Sequence, residues 1–318
     1  MNTPILLITF NRPEHTRRVL ETILAAKPQD LYVFQDGARE GNGSDAEKCA
    51  EVRQVISILT KDVDVVLKTF YSDRNLGCGP GPMTALNWFF SENVMGIVLE
   101  DDAVPHPDFF PYCEELLVRY KNDKDVRAIG SMHLDSRKYG DGSYYFSMMN
   151  RTLCAWATWA RAWCDFDLYL RDVSRNQLDD CLKSYGCGLK MREYWCERLA
   201  EIQKDALDHS SWDQQFWISI WLHHGKGIMP NVNLSTNIGF DENATHTKSS
   251  DSSGANRQSF PILPLKHPTS QTIQSRADRR FQSIYFAPYD YGWKGVGRFP
   301  YRLNKRIKRL LGHEGSWV

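Results

Sequence analysis

The first hundred residues alternate between short apolar runs and amphipathic stretches, and no other feature constrains the fold as strongly. "PILLITF" reads as a buried strand. A turn at Asn11–Pro13 leads into a helix on which Val19, Leu20, Ile23 and Leu24 fall at helical spacing. "DLYVFQDGA" is a second strand ending in Asp36–Gly37. Residues 45–60 form a helix with Val52, Val55, Ile56 and Leu59 inward. "DVVLKTFYS" is a third strand, "CGPGPMTALNWFFSE" a turn and a helix, and "MGIVLE" a fourth strand. Strands that alternate with helices predict an α/β fold on a mainly parallel central sheet. Ligands bind beyond the carboxyl ends of such strands. The polar strand ends Thr9–Arg12, Gln35–Gly37, Ser72–Asn75 and Glu100–Asp102 are therefore expected along one edge.

The pattern changes further on. A helix, "YCEELLVRYKND", and a short strand, "VRAIGSMH", follow Phe110. Residues 133–200 are looser, with Trp-rich and acidic helical stretches. "SSWDQQFWISIWLHH", residues 210–224, reads as a strongly apolar helix with Ser210 or Ser211 as N-cap and Asp213 in its first turn. Residues 241–258, "DENATHTKSSDSSGANRQ", are small and polar, the composition of a lid loop. Seven Lys or Arg lie between 294 and 309 with no acid among them. As a helix, that tail carries Arg302, Lys305, Arg306 and Arg309 on one face and Leu303, Ile307, Leu310 and Leu311 on another, the pattern of a segment lying on an anionic membrane. The expected organisation is an α/β half over 1–130, a second half over 131–270 with the lid at 241–258, and a basic C-terminal extension over 271–318.

Composition narrows the function classes. Lys and Arg balance Asp and Glu at 39 each, so no net charge points to nucleic acid. Eight cysteines show no CxxC pair, which argues against zinc-ribbon or thioredoxin chemistry. The N-terminus lacks a basic n-region, and no apolar stretch approaches the ~20 residues of a membrane span. A cytoplasmic protein with reduced thiols, in peripheral contact with the inner face of a membrane at most, is expected.

The chemistry concentrates at "VLEDDAVPHPDFF". Three adjacent carboxylates, Glu100, Asp101 and Asp102, stand where an apolar strand leaves the core. They repel one another unless a positive group sits among them. A divalent ion, Mn²⁺ or Mg²⁺, accepts one or two carboxylates together with substrate phosphates and waters. The other strand ends suit a nucleotide: Thr9, Asn11 and Arg12 for a base or pyrophosphate, Asp36 for a base N–H, and Arg74, Asn75 and Gly77 for close approach to ribose and phosphate.

With these residues in view, the chain resembles a family. "LLITFNRPEHTRRVLETIL", "VFQDGA", "RNLGCGPGPMTALNWFF", "VLEDDAVPHPDFF" and "SWDQQFW" are similar to stretches of GT-A-fold glycosyltransferases of the N-acetylglucosaminyltransferase I type and of related bacterial sugar-nucleotide transferases. The likeness covers roughly the first 120 residues and a stretch around 210–240. It implies a Rossmann-like GT-A fold and an inverting, metal-dependent transfer of a sugar, N-acetylglucosamine being the one it suggests. The donor would be a UDP-sugar and the acceptor a glycan or lipid-linked glycan. It implies that Asp36 reads uracil, that Arg12 lies by the nucleotide, and that Asp102 binds the metal while Glu100 and Asp101 hold sugar and ribose. It also implies that Asp213 deprotonates the acceptor hydroxyl. His246 in "NATHT" is a further candidate metal ligand, since several GT-A enzymes use a late histidine.

Trp156, Trp159 and Trp163 in "CAWATWARAW" are spaced three and four apart, one face of a helix, and Trp156 is the best candidate for an acceptor-stacking platform. Trp212 adjoins the expected base. Two other readings remain. A sugar-1-phosphate nucleotidyltransferase usually carries a Gly-rich phosphate loop near the N-terminus, and "TFNRPEHTRR" has no glycine. A non-catalytic glycan-binding protein would tolerate loss of the acids that this chain keeps.

Overall fold

The computed structural model describes residues 1–149, 154–204, 212–239 and 256–285. Its first part follows the predicted alternation: β1 (Ile5–Thr9), α1 (Pro13–Ala25), β2 (Asp30–Gln35), α2 (Gly43–Thr60), β3 (Val66–Tyr71), α3 (Pro80–Glu92), β4 (Met95–Glu100), β5 (Ala103–Pro105), α4 (Phe109–Arg119) and β6 (Val126–Gly130). The second part contains β7 (Tyr144–Ser147), β8 (Ala155–Trp159), α5 (Ala160–Trp163), α6 (Arg175–Ser184), α7 (Leu189–Lys204), α8 (Asp213–Leu222), β9 (Lys226–Pro230), β10 (Ser235–Asn237) and α9 (Ser275–Tyr285). Local chemistry marks several helix starts. Pro13 and Glu14 open α1, Asn42 accepts from the Asp45 N–H ahead of α2, and Ser174 with Gln177 forms a capping box on α6.

Eight strands form one sheet in the order β3-β2-β1-β4-β8-β6-β9-β7. β3, β2, β1 and β4 run parallel, as do β6 and β9, whereas β8 lies antiparallel between β4 and β6 and β7 antiparallel at the far edge. The fold is thus a mixed α/β, Rossmann-like fold with a largely parallel sheet flanked by helices. Alternate residues feed two cores. Ile5, Leu7, Val33, Ile97, Leu99 and Ala157 pack with residues of α1, α2 and α4 on one face. Leu6, Ile8, Phe34, Val98 and Trp156 pack with residues of α3 and α8 on the other. Helix α8 is apolar nearly all round because it belongs to two clusters. Phe216 and Ile220 join the sheet core, while Trp217, Ile218 and Trp221 join a helical cluster with Trp195 of α7 and Phe281 of α9.

Three expectations are corrected. "CAWATWARAW" is the strand β8 followed by the single turn α5, so Trp156 and Trp159 face opposite cores rather than sharing a helical face. The C-terminal extension does not begin at 271. Ile273 bridges Phe146, the buried Asp278 accepts from the Ser147 hydroxyl, and Phe281 enters the helical cluster, so residues 271–283 belong to the body of the fold. Finally, α8 begins at Asp213 with Trp212 at its N-cap position and no side-chain cap bond. Ser210 and Ser211, most of the expected lid and the whole basic tail at 294–309 lie outside the described residues. Among the described residues no helix is long and apolar enough to cross a membrane. All eight cysteines are free thiols.

Candidate active site

The strand order reverses between β1 and β4, which are paired neighbours although three helices and two strands separate them in sequence. A crevice opens at such a reversal, outside the carboxyl ends of the strands. The acidic triplet stands there. Glu100 is the last residue of β4, in register with Ile8 of β1. The chain then turns, and the Phe10 N–H donates to Asp101 Oδ2 at 3.2 Å. Arg12 Nη1 lies 3.4 Å from Asp102 Oδ2, both side chains partly buried. Asp213, in the first turn of α8, is near enough to Glu100 for its charge to act there.

Burial, then Asp102, Asp101 and Asp213, push Glu100 well above the usual carboxylate range, against the pull of Arg12. Burial and Asp102 push Asp101 up to about 7, opposed by Arg12 and the Phe10 N–H. Among the described residues, three adjacent carboxylates with Arg12 beside Asp102 stand in the crevice, and the Asp213 charge acts on Glu100, an arrangement that a further cation relieves. Among the described residues no group of three or more His, Cys, Asp or Glu side chains is disposed to hold a metal unaided. A hard divalent ion needs no such cage when a diphosphate completes its shell, and the oxygen donors here suit it. His246, the second candidate ligand, lies outside the described residues.

A second strand pair closes over Asp102. β10 pairs antiparallel with β5, Asn237 opposite Ala103. The Ile238 N–H donates to the Asp102 carbonyl at 2.9 Å, and the Ile238 carbonyl contacts His15 Nε2 at 3.1 Å. Gly239 follows directly. A Cβ there would stand 2.1 Å from Asp102 Oδ2, so any other residue would require the carboxylate or the backbone to move. Asn237 also reaches Cys154 Sγ at 2.9 Å, and the Cys154 carbonyl accepts from the Glu100 N–H.

The nucleotide candidates divide into those that face the crevice and those that build it. Both oxygens of Asp36 are used internally. Oδ1 accepts from the Gly37 and Leu76 N–H groups at 2.9 and 2.8 Å, and Oδ2 from the Gly77 N–H and the Asn75 amide at 3.0 and 3.1 Å. A carboxylate offers about four acceptor positions. All are filled, so the expected uracil contact is corrected: Asp36 ties the end of β2 to the loop before α3. Burial raises its pKa, opposed by the Leu76, Gly77 and Gly37 amides. Gly37 is required in the same place, because a Cβ would meet the Arg74 backbone at 2.5 Å. Gly77 takes φ +82°, a left-handed turn suited to glycine. Asn75 also donates to the Gly37 carbonyl at 2.8 Å.

Thr9 is buried and donates to the Phe34 carbonyl at 3.0 Å, so it faces the interior rather than a ligand. Asn11 donates to Asp45 Oδ1 at 2.7 Å, and Asp45 is held in turn by Arg39 through Nε and Nη2. Arg39 also lies over the Phe10 ring, 5.6 Å from its centroid. Arg74 is exposed, with no ion-pair partner among the described residues.

The acceptor candidates are corrected as well. Trp156 is 0 % exposed and packs against Trp212 and Phe216, at centroid distances of 5.5 Å each. Trp212 is itself buried against Trp163 and Phe166. Neither indole offers a face to a sugar. Gly239 and Asp45 escaped the sequence reading, and Gln35 entered it only as part of a polar strand end. Gln35 donates to the Phe10 and Cys49 carbonyls and accepts from Arg53, which fixes the turn after β1. A buried polar residue at a strand end was its only signal.

No family model matches the chain, and no curated protein matches it. The fold is similar to several solved structures at low identity. One is 4-diphosphocytidyl-2C-methyl-D-erythritol synthase from Anaerococcus prevotii, at 10% identity over 52% of this chain and 74% of that one, TM-score 0.33. HddC from Yersinia pseudotuberculosis is 12% identical over 52% and 80%, TM-score 0.31. An apo UDP-glucose pyrophosphorylase is 9% identical over 72% and 90%, TM-score 0.37.

Proposed function

We propose that the chain is a nucleotide-sugar-dependent transferase, and within that class an inverting, metal-dependent glycosyltransferase. The donor is a UDP-sugar, and the acceptor is a hydroxyl of a glycan or lipid-linked glycan. The observation that carries this reading is the meeting of Glu100, Asp101 and Asp102 with Arg12 at the strand-order reversal, with Asp213 at the start of α8 near enough to act on Glu100. Asp102, with Gly239 against it, is the carboxylate that would hold Mn²⁺ or Mg²⁺. When bound, the ion supplies positive charge to the departing diphosphate. Arg12 and the exposed Arg74 meet the same oxygens. Asp213 takes the proton of the acceptor hydroxyl, whose oxygen forms the new bond to the anomeric carbon as the bond to the diphosphate breaks on the opposite face. Trp212 and the apolar α8 behind Asp213 exclude water on that side.

Nucleotidyl transfer, joining a nucleoside triphosphate to a sugar 1-phosphate, is the second reading. The names of the similar solved structures stand nearer to it. The β1–α1 turn, Phe10–Asn11–Arg12, has no glycine and stands nearer to the first. One experiment separates them. The protein is incubated with UDP-sugar and Mn²⁺, with and without pyrophosphate. Release of UDP supports glycosyl transfer or its hydrolytic side reaction. Formation of UTP and sugar 1-phosphate only with pyrophosphate supports nucleotidyl transfer. Neither product, with binding intact, leaves a glycan-binding protein.

A further inference from the structure

A cavity of about 480 Å³, within the size range of ligand pockets, lies away from the acidic crevice and is lined by Arg137, Lys138, Tyr139 and Arg276. Its loop follows β6 and so leaves the sheet at the same edge as the crevice. β6 and β7 lie two and four strands from β4, which places the cavity on the order of 10–20 Å from the Asp102 end of β4.

The loop backbone is firmly held. His133 Nε2 contacts the Arg137 carbonyl at 2.9 Å, and the Arg137 N–H donates to Asp135 Oδ1 at 3.2 Å. The Tyr139 hydroxyl donates to Asp135 Oδ2 at 2.7 Å, and Asn231 bonds both the Tyr139 N–H and its carbonyl. Ala277 of α9 packs with Tyr145 and Met229 beneath Tyr139, which fixes the helix beside the loop. The charges are treated differently. Arg280 is answered by Asp135 at 3.4 Å. Arg137, Lys138 and Arg276 are exposed and none forms a salt bridge with an acid among the described residues, although Arg137 is near enough to Asp135 to help lower its pKa. Three like charges gathered on a rigid wall repel one another. Arginine forks on a fixed frame are suited to an oxyanion.

We propose that this cavity binds an oxyanion carried by the acceptor, a carboxylate or a phosphate on the glycan, and so selects anionic acceptors whose reacting hydroxyl reaches Asp213. The assignment of the anion to the acceptor rests on the glycosyl-transfer reading.

The test uses the full chain with UDP and Mn²⁺ present, which fills the crevice. Three probes are titrated by calorimetry: a hexuronate tetrasaccharide, a hexose 6-phosphate, and a neutral N-acetylglucosamine tetrasaccharide. Either anionic probe should bind at least tenfold more tightly than the neutral one, and the stronger of the two identifies the group. The double variant Arg137→Gln, Arg276→Gln should lose at least tenfold for that probe, keep the UDP-dependent rise in melting temperature, and melt no lower than the parent. Arg276→Lys, which keeps the charge, should lose less. Equal binding of neutral and anionic probes, or undiminished binding by the double variant, overturns the proposal. Anion binding that depends on both arginines, in a protein showing no UDP-dependent shift, overturns the transferase reading. It then leaves the cavity as an anion site with no acceptor assigned.

Discussion

Gly239 and Asp102 occupy each other's space: the direction in which any other residue would place its Cβ at 239 points at Asp102 Oδ2, 2.1 Å away. A main-chain segment more than a hundred residues distant in sequence thus forms one wall of the carboxylate. Gly239→Ala should force the backbone or Asp102 to move. Metal-dependent UDP binding should weaken at least tenfold, and the melting temperature should fall by a few degrees, since about 1–3 kcal/mol is typical of overpacking. Calorimetric titration and thermal unfolding of the same preparation check both. Unchanged affinity would mean that Asp102 does not take part in binding.

Asp102 and Asp213 should separate binding from turnover. Asp102→Asn should abolish the metal-dependent thermal shift with UDP. Asp213→Asn should keep that shift while transfer falls by about 10²–10⁴-fold, the usual contribution of a general base. Single-turnover rates with donor at saturation read the second effect. Normal turnover by Asp213→Asn would remove its assignment as base.

Asp36 should matter most with no nucleotide present. Asp36→Ala leaves the Gly37, Leu76 and Gly77 amides and the Asn75 side chain without their acceptor. Water can reach part of this loop, so the loss is roughly 2–4 kcal/mol rather than four full penalties. Urea unfolding of the apo protein measures it. A variant of normal stability with altered base preference would return Asp36 to base reading.

Asp45 supplies a pH dependence of stability. Arg39, with Asn11, lowers its pKa from 3.8 to about 2. A folded value below the unfolded one stabilises the fold above about pH 4, and this contribution fades as pH falls towards 2. Arg39 is half exposed, so solvent screening reduces the effect to about 1 kcal/mol. Asp45→Asn should be less stable than the parent at pH 7, and the gap in urea midpoints should close between pH 4 and pH 2. A gap that does not vary with pH would place the effect in packing instead.

The first four strands and three helices were legible because each carries one clear period. β1, β2 and β4 are largely apolar runs ended by polar residues, β3 is a mixed edge strand, and α1 to α3 follow between them. β8 was not legible. It is buried on both faces, so no alternation shows, and its tryptophans happen to fall at helical intervals. The acidic triplet was legible as a cluster in need of a positive neighbour, because like charges in a row demand a partner, and Arg12 stands beside Asp102. The roles of Asp36, Thr9 and Asn11 were not, since they depend on acceptors and donors that arrive from elsewhere in the chain: Asn75 to Gly77, the Phe34 carbonyl and Asp45. The Gly239 contact is more remote still, because it requires knowing that β10 pairs with β5.

The antiparallel insertion of β8 between β4 and β6 bears on how the chain comes into being. β4 ends at residue 100, but the strand that covers its second edge begins at residue 155. During synthesis β3, β2, β1 and β4 emerge first and can assemble, yet the open flank of Ile97, Val98 and Leu99 waits for the later strand. A fragment ending near residue 130 would keep that flank bare, a template for pairing with other copies. The part of the chain that ends at the acidic triplet is therefore not a detachable module, and truncation there should yield aggregates rather than a smaller working protein.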